Sequence, residues 1–80
     1  AVGSVEALLF PQTEAFFLSA REREILQWWA AGKSAWEISE ILSIAERTVE
    51  KHTQRIRERF GVATTRQAVI EGIRLREIFP

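Results

Sequence analysis

The sequence predicts an all-α fold, a four-helix, bundle-like domain that contains a helix-turn-helix. Three observations support this prediction. At Ser19, Ser34 and Thr64 a hydroxyl residue is followed three positions later by a glutamate or glutamine, a pattern that starts helices. Glycine, which commonly ends helices, stands at positions 32 and 61. No segment alternates apolar and polar residues with a period of two, so we expect no sheet.

Each helix follows from these local signals. A three-residue turn, Leu42-Ser43-Ile44, separates the second helix from the third. This turn lacks the glycine often found in such turns, and Ser43 stands in for it. The four helices are expected over about residues 20–31, 35–41, 46–60 and 65–76.

The third helix has an apolar face and a polar face. Val49, Ile56 and Phe60 recur on one side at helical spacing. The second helix crosses it at a small residue, Ser39, ten positions before Val49. A helix anchored on one side, with long hydrogen-bonding side chains on the other, is what reading the DNA major groove requires. The polar side carries Arg47, Glu50, Lys51 and Gln54.

The core is expected where the apolar residues of the four helices meet. Its predicted members are Ile25, Leu26, Trp29, Ile38, Leu42, Val49, Ile56, Phe60, Ala68 and Val69. Of the adjacent Trp28 and Trp29, the first is the candidate for partial exposure. Ahead of this domain, which is expected over residues 18–80, residues 1–17 are predicted to be a linker or lead-in segment with a helical turn over 5–10.

Composition excludes several classes of protein. The chain has 80 residues, which suits one domain or part of one, and its start at Ala1 without any methionine indicates a fragment of a longer protein. Without cysteine there is no disulfide or thiolate site, and one histidine builds no zinc site, so no metal or cofactor is expected. No apolar run is long enough to cross a membrane and no signal peptide is visible, so we expect a cytoplasmic protein.

Charge is balanced overall but not locally. Eleven basic residues match eleven acidic ones, which argues against a strong non-specific grip on DNA. Within residues 45–60, however, five basic residues oppose three acidic ones. The segment predicted to read DNA is therefore locally basic.

Five separated motifs carry a family resemblance: LSAREREIL (18–26), AAGKSAWEIS (30–39), LSIAERTVEKH (42–52), RFGV (59–62) and QAV (67–69). In this order and spacing they resemble the C-terminal DNA-binding domain of LuxR-type, or GerE-like, regulators over about residues 18–78. The segment GKSAWEI, with Trp36, is similar to the quorum-sensing branch that responds to acyl-homoserine lactones.

The resemblance implies a transcriptional regulator that binds double-stranded DNA as a homodimer, through the third helix, with the last helix at the dimer contact. RNA polymerase is a further candidate partner, and a small-molecule effector would act only through a missing N-terminal domain. The base contacts are expected at Arg47, Glu50, Lys51 and Gln54. The phosphate contacts are expected at Arg21, Lys33, Ser34, Trp36, Thr48, His52 and Arg55. The dimer interface is expected at Ile70, Ile73 and Leu75.

Three positions depart from the family pattern. Ala45 stands where serine usually caps the third helix. Glu50 stands where a basic or amide residue is common, which alters base preference because a carboxylate accepts from cytosine and repels phosphate. Thr65 stands where arginine is common, with Arg66 one place later, so one backbone contact is in doubt.

Other interpretations compete at several residues. His52 is either a phosphate donor or a structural residue, and Trp36 lies either against the DNA backbone or on the first helix. The charged run 55–59 is either a solvated helix face, with pairs such as Arg55 with Glu58, or a DNA-contacting face. We favour the solvated face for Arg57 and Glu58 and the DNA contact for Arg55. Glutamates 22 and 37 are explained as capping partners rather than catalytic acids. The alternative function is a protein-interaction or dimerisation module that has lost DNA binding, and an enzyme is a remote third.

Overall fold

The computed structural model describes residues 16–80, and this part of the chain contains four helices and no strand. They are α1 (Ala20–Ala30), α2 (Ala35–Leu42), α3 (Glu46–Phe60) and α4 (Thr65–Arg74). The predicted all-α fold is confirmed, and α4 ends two residues earlier than expected. The helical turn predicted over residues 5–10 lies outside the described residues.

Three of the four helices begin with the capping box that the sequence predicts. At α1 the Ser19 hydroxyl accepts from the Glu22 N–H at 3.2 Å, and the Glu22 carboxylate accepts from the Ser19 N–H at 2.9 Å. The same reciprocal pair forms at the start of α2 and of α4. These bonds satisfy N–H groups that have no partner inside the helix, so local sequence fixes where each helix starts.

The third helix, α3, has no capping box. Its N-cap is Ala45, which has extended backbone angles and makes no side-chain capping bond. Alanine carries no oxygen to accept from the first N–H groups of α3. The departure at this position therefore leaves the start of the predicted DNA-reading helix without a side-chain cap.

We expect Ala45→Ser to raise the free energy of unfolding by about 1 kcal/mol, because the new hydroxyl can accept from the first turn of α3. Urea denaturation should show a higher midpoint with an unchanged slope. The control is Ala20→Ser, an exposed position in the first turn of α1, which Ser19 already caps. A midpoint for Ala45→Ser no higher than that of the control would mean that another group already fills the role.

The turn between α2 and α3 is tight and uses no glycine. Ser43 has φ 56° and ψ 44°, the left-handed conformation that glycine adopts most easily. The buried Ser39 donates its hydroxyl to the Trp36 carbonyl at 2.6 Å, and its own carbonyl accepts from the Ile44 N–H at 3.0 Å. The predicted small residue thus lies at the helix crossing, and Ser43 takes the place of the glycine.

The core lies between all four helices and includes two residues that the sequence analysis missed. Trp29, Leu42, Phe60 and Val69 are only partly buried. Leu18 precedes α1 and Ile78 follows α4, so neither belongs to a helical pattern. The buried apolar residues are Leu18, Ile25, Leu26, Ile38, Val49, Ile56, Ala68 and Ile78.

The segment after α4 turns back over the start of α1. Glu77 is buried, and its carboxylate accepts from the N–H groups of Phe17 at 2.9 Å and Leu18 at 2.7 Å. The Gln27 side chain donates to the Phe79 carbonyl at 2.8 Å and accepts from the Phe79 N–H at 2.9 Å. The Glu77 bonds join the two ends of the described chain, and the Gln27 bonds hold its last residues against α1.

Close packing under α4 depends on a glycine. A Cβ atom on Gly72 would lie 2.8 Å from Leu26 Cδ2 and 3.1 Å from Ile78 Cγ1. The missing side chain lets α4 approach α1 and leaves room for Ile78.

Within residues 16–80, no helix is both long enough and apolar enough to cross a membrane.

Candidate nucleic-acid interface

The orientation of α3 is fixed from its buried side. Val49, Thr53 and Ile56 are buried. The indole N–H of Trp29 donates to the Thr53 hydroxyl at 3.0 Å, which in turn donates to the Val49 carbonyl at 2.7 Å. A directional bond from α1 therefore supplements the apolar contacts and holds one face of α3 toward the core.

The polar face of α3 borders an open groove of about 480 Å³, which extends to Trp29 and the buried Thr53. All four predicted base-contacting residues line it: Arg47, Glu50, Lys51 and Gln54. The first residue of α2, Ala35, and the first residue of α4, Thr65, line its walls. Two helix N-termini, which carry partial positive charge, thus flank the polar face of α3.

The charge of the groove is mainly positive. Arg47, Lys51 and Arg57 line it together with a single carboxylate, that of Glu50. Glu50 is exposed and forms no ion pair with any of the described residues. A polyanion in this groove would meet three cations, and Glu50 would repel its phosphates.

The ion pair between Arg55 and Glu58, an alternative considered from the sequence, is absent from the described residues. The solvated-face alternative would pair Arg55 with Glu58, but the Glu58 carboxylate accepts from the Gln54 amide nitrogen at 3.2 Å. The spacing of four residues places Gln54 and Glu58 on one side of the helix, whereas Arg55 lies on the flank. Because a carboxylate only accepts, Gln54 turns its amide nitrogen toward Glu58.

The residues predicted to contact phosphate differ in exposure. Arg21, Ser34, Trp36 and Arg55 are exposed, and Lys33, Thr48 and His52 are partly buried. Trp36 is 59% exposed, so most of its side chain is open to solvent rather than buried against α1. His52 Nδ1 is buried and has no hydrogen-bond partner among the described residues.

Ser34 is already engaged in the cap of α2. Its N–H donates to the Glu37 carboxylate at 2.8 Å, and its hydroxyl accepts from the Glu37 N–H at 3.1 Å. The pKa of the Glu37 carboxyl is lowered, first by the Ser34 N–H, then by the Ser34 hydroxyl and the Lys33 charge. This carboxylate therefore stabilises the fold above its ordinary pKa of 4.5, and that contribution is lost as the pH falls through the lowered value.

Two arginines of α3 have roles that sequence reasoning missed. Arg59 pairs with the buried carboxylate of Glu22 at 3.2 Å, so Glu22 is more than a capping partner. Arg57 was expected on a solvated face, but it is partly buried and donates to the Thr65 hydroxyl at 3.1 Å. Both contacts join different helices, and no local pattern in the sequence signals them.

The last helix presents an apolar surface. Ile70 is 57% exposed and Leu75 is 43% exposed. Ile73, predicted at the same interface, is partly buried against the domain's own core.

Trp28 and Trp29 are both partly buried and pack against the core. Trp29 was expected to lie fully in the core, and it does not.

Comparison with known proteins identifies the domain. Residues 17–71 match the family described as bacterial regulatory proteins, luxR family. The chain belongs to the luxR family. This LuxR-type chain is a helix-turn-helix DNA-binding domain of a transcriptional regulator and not an enzyme.

Individual relatives agree with this assignment. The LuxR-type domain is 41% identical over 76 residues to the transcriptional activator protein BjaR1 of Bradyrhizobium diazoefficiens, covering 95% of this chain and 30% of BjaR1. It is 48% identical over 58 residues to the quorum sensing-dependent transcriptional regulator RpaR of Rhodopseudomonas palustris, covering 72% of this chain and 24% of RpaR. The structure of the transcription factor GerE matches with a TM-score of 0.76 and 38% identity, covering 79% of this chain and 94% of that one. The chain thus spans less than a third of the length of BjaR1 and of RpaR.

Proposed function

We propose that this domain binds DNA sequence-specifically, with α3 in the major groove. The proposal rests on the groove beside α3. Buried contacts and the Trp29 indole hold one side of α3, and its groove-lining face is polar and mainly basic. An α-helix fits the major groove, where each base pair shows a distinct set of donors and acceptors.

The polar face divides into reading and positioning contacts. We assign base contacts to Arg47, Glu50, Lys51 and Gln54, which share one groove. Lysine and arginine favour guanine, an amide suits adenine, and a carboxylate accepts from cytosine. The flanking phosphate contacts are assigned to Arg21, Lys33, Ser34, Trp36, Thr48, His52 and Arg55.

Two copies are proposed to bind together through α4. The exposed Ile70 and Leu75 supply apolar surface for the contact, and Ile73 supplies the part of its side chain that the core leaves open. Two-fold symmetry in the protein requires a two-fold symmetric site, with half-sites about one helical turn of DNA apart. Joining two half-sites also raises the affinity without any new contact to each one.

The relatives suggest how the whole regulator works. BjaR1 is named an activator and RpaR a quorum sensing-dependent regulator. We infer that an N-terminal sensory domain lies outside this chain and receives a small-molecule signal in the cytoplasm. RNA polymerase is then the proposed partner of the DNA-bound dimer.

The test is a titration of this 80-residue domain with labelled duplexes pooled from genomic DNA, followed by anisotropy or gel shift at low and moderate salt. We expect weak binding that favours two-fold symmetric sites and falls steeply with salt, because each neutralised phosphate releases counterions. Circular dichroism on the same samples checks folding. A folded domain with no DNA affinity at low salt would instead favour the protein-interaction module, with α4 as its contact surface.

A further inference from the structure

We propose that Arg57 is a DNA phosphate contact that the Thr65 hydroxyl positions; this inference rests on the proposed DNA binding. The Arg57 Nη1 atom donates to Thr65 Oγ1 at 3.1 Å across the junction between α3 and α4. The contact is partly buried, so it holds the guanidinium in one place rather than leaving it to solvent.

The Thr65 hydroxyl is free for this role because another residue caps α4. Thr64 is the N-cap, and its hydroxyl accepts from the Gln67 N–H at 3.1 Å. Thr65 is the first residue of the helix, one position beyond the cap. Its hydroxyl bond to Arg57 therefore does not serve the start of α4.

The position of Arg57 follows that of the proposed reading residues. Glu50, Gln54 and Arg57 are spaced by four and three residues, so they form one row along α3. Arg57 ends this row, lines the same groove and lies where α4 begins. When a recognition helix lies in the major groove, its far end reaches the sugar-phosphate backbone rather than the base edges.

The charge of Arg57 is also available to a ligand. Arg21, Arg59 and Arg74 each pair with a glutamate. Arg57 has no ion pair with the described residues and is held by a neutral hydroxyl. A guanidinium has five N–H donors, and one bond to Thr65 leaves the others for phosphate oxygens. The N-terminus of α4 adds partial positive charge beside it.

The experiment measures the affinity of the domain for a mixed-sequence duplex of about 20 base pairs, long enough for two half-sites, over a series of salt concentrations. We expect Arg57→Gln to weaken binding about tenfold for all sequences and to reduce the slope of log affinity against log salt by about one. The matched control is Arg76→Gln, which removes the same charge from an exposed residue beyond the far end of α4. The control should keep the wild-type slope.

A double-mutant cycle separates positioning from general structure. Thr65→Val keeps the shape of the side chain but removes the acceptor, so it should weaken binding several-fold. In the Arg57→Gln background the same change should have no further effect, because the two residues act as one unit. Arg57→Lys keeps the charge but not the planar guanidinium, so it should retain the salt slope. It replaces Arg57→Gln in the affinity measurement if the glutamine variant does not fold.

The outcomes distinguish this inference from the proposed function. If the wild-type domain binds and Arg57→Gln keeps its affinity and salt slope, the role of Arg57 is overturned while DNA binding stands. Additive effects of the Thr65 and Arg57 changes would overturn the positioning role of Thr65. If the folded wild-type domain binds no duplex at low salt, the proposed function fails and the inference falls with it.

Discussion

Replacing Glu22 by alanine should lower the free energy of unfolding by about 2–3 kcal/mol, because it removes a buried carboxylate that makes charged hydrogen bonds on two sides. Glu22 accepts from the Ser19 N–H at the start of α1 and pairs with Arg59 at 3.2 Å. Its side chain is 4% exposed, whereas that of Arg59 is 50% exposed. Water can rehydrate the stranded arginine, so the expected loss is smaller than for a fully buried pair.

A matched control is built into the chain. Glu37 holds the same position in the capping box of α2, but it has no partner on another helix among the described residues. Glu37→Ala should therefore cost less than Glu22→Ala in urea denaturation followed by tryptophan fluorescence. Combining Glu22→Ala with Arg59→Ala should give less than the sum of the two losses. Equal losses for the Glu22 and Glu37 variants would mean that the pair between α1 and α3 adds nothing.

Lys51→Ala and Gln54→Ala should change which DNA sequences are preferred, whereas Arg55→Ala should weaken all sequences alike. The first two residues line the groove on the outward face of α3, and Arg55 does not. Loss of a good base contact costs roughly 1–3 kcal/mol at one base position. Selection of binding sites from a random pool measures this directly. An unchanged preferred site in both groove variants would show that another face of α3 reads the bases.

Sequence reasoning succeeded where the controlling interactions are local. Each capping box involves residues three apart, and the start of α3 at an uncapped Ala45 follows from the same rule. The apolar face of α3 follows from helical periodicity, and so does the convergence of its four polar residues on one groove. Which of these residues touches DNA stays a prediction.

The missed features depend on contacts between distant parts of the chain. Glu77 bonds to Leu18 across 59 positions, and nothing near Glu77 in the sequence marks it as buried. Ile78 lies beyond the last helix, where periodicity gives no guidance. The bond from Arg57 to Thr65 depends on how α4 leaves the end of α3, which the turn at Gly61 decides. Such partners become visible only once the helices are placed in three dimensions.

The bonds of Glu77 and Phe79 set the limits of the smallest autonomous fragment. A fragment that stopped at Arg74, where α4 ends, would leave the N–H groups of Phe17 and Leu18 without their carboxylate. It would also lack Ile78, which fills the space beside Gly72. A fragment that began at the first residue of α1 would lack Phe17 and Leu18, the residues to which Glu77 bonds. A fragment trimmed to the four helices would therefore lose the hydrogen bonds and apolar contacts that hold the two ends of the domain together.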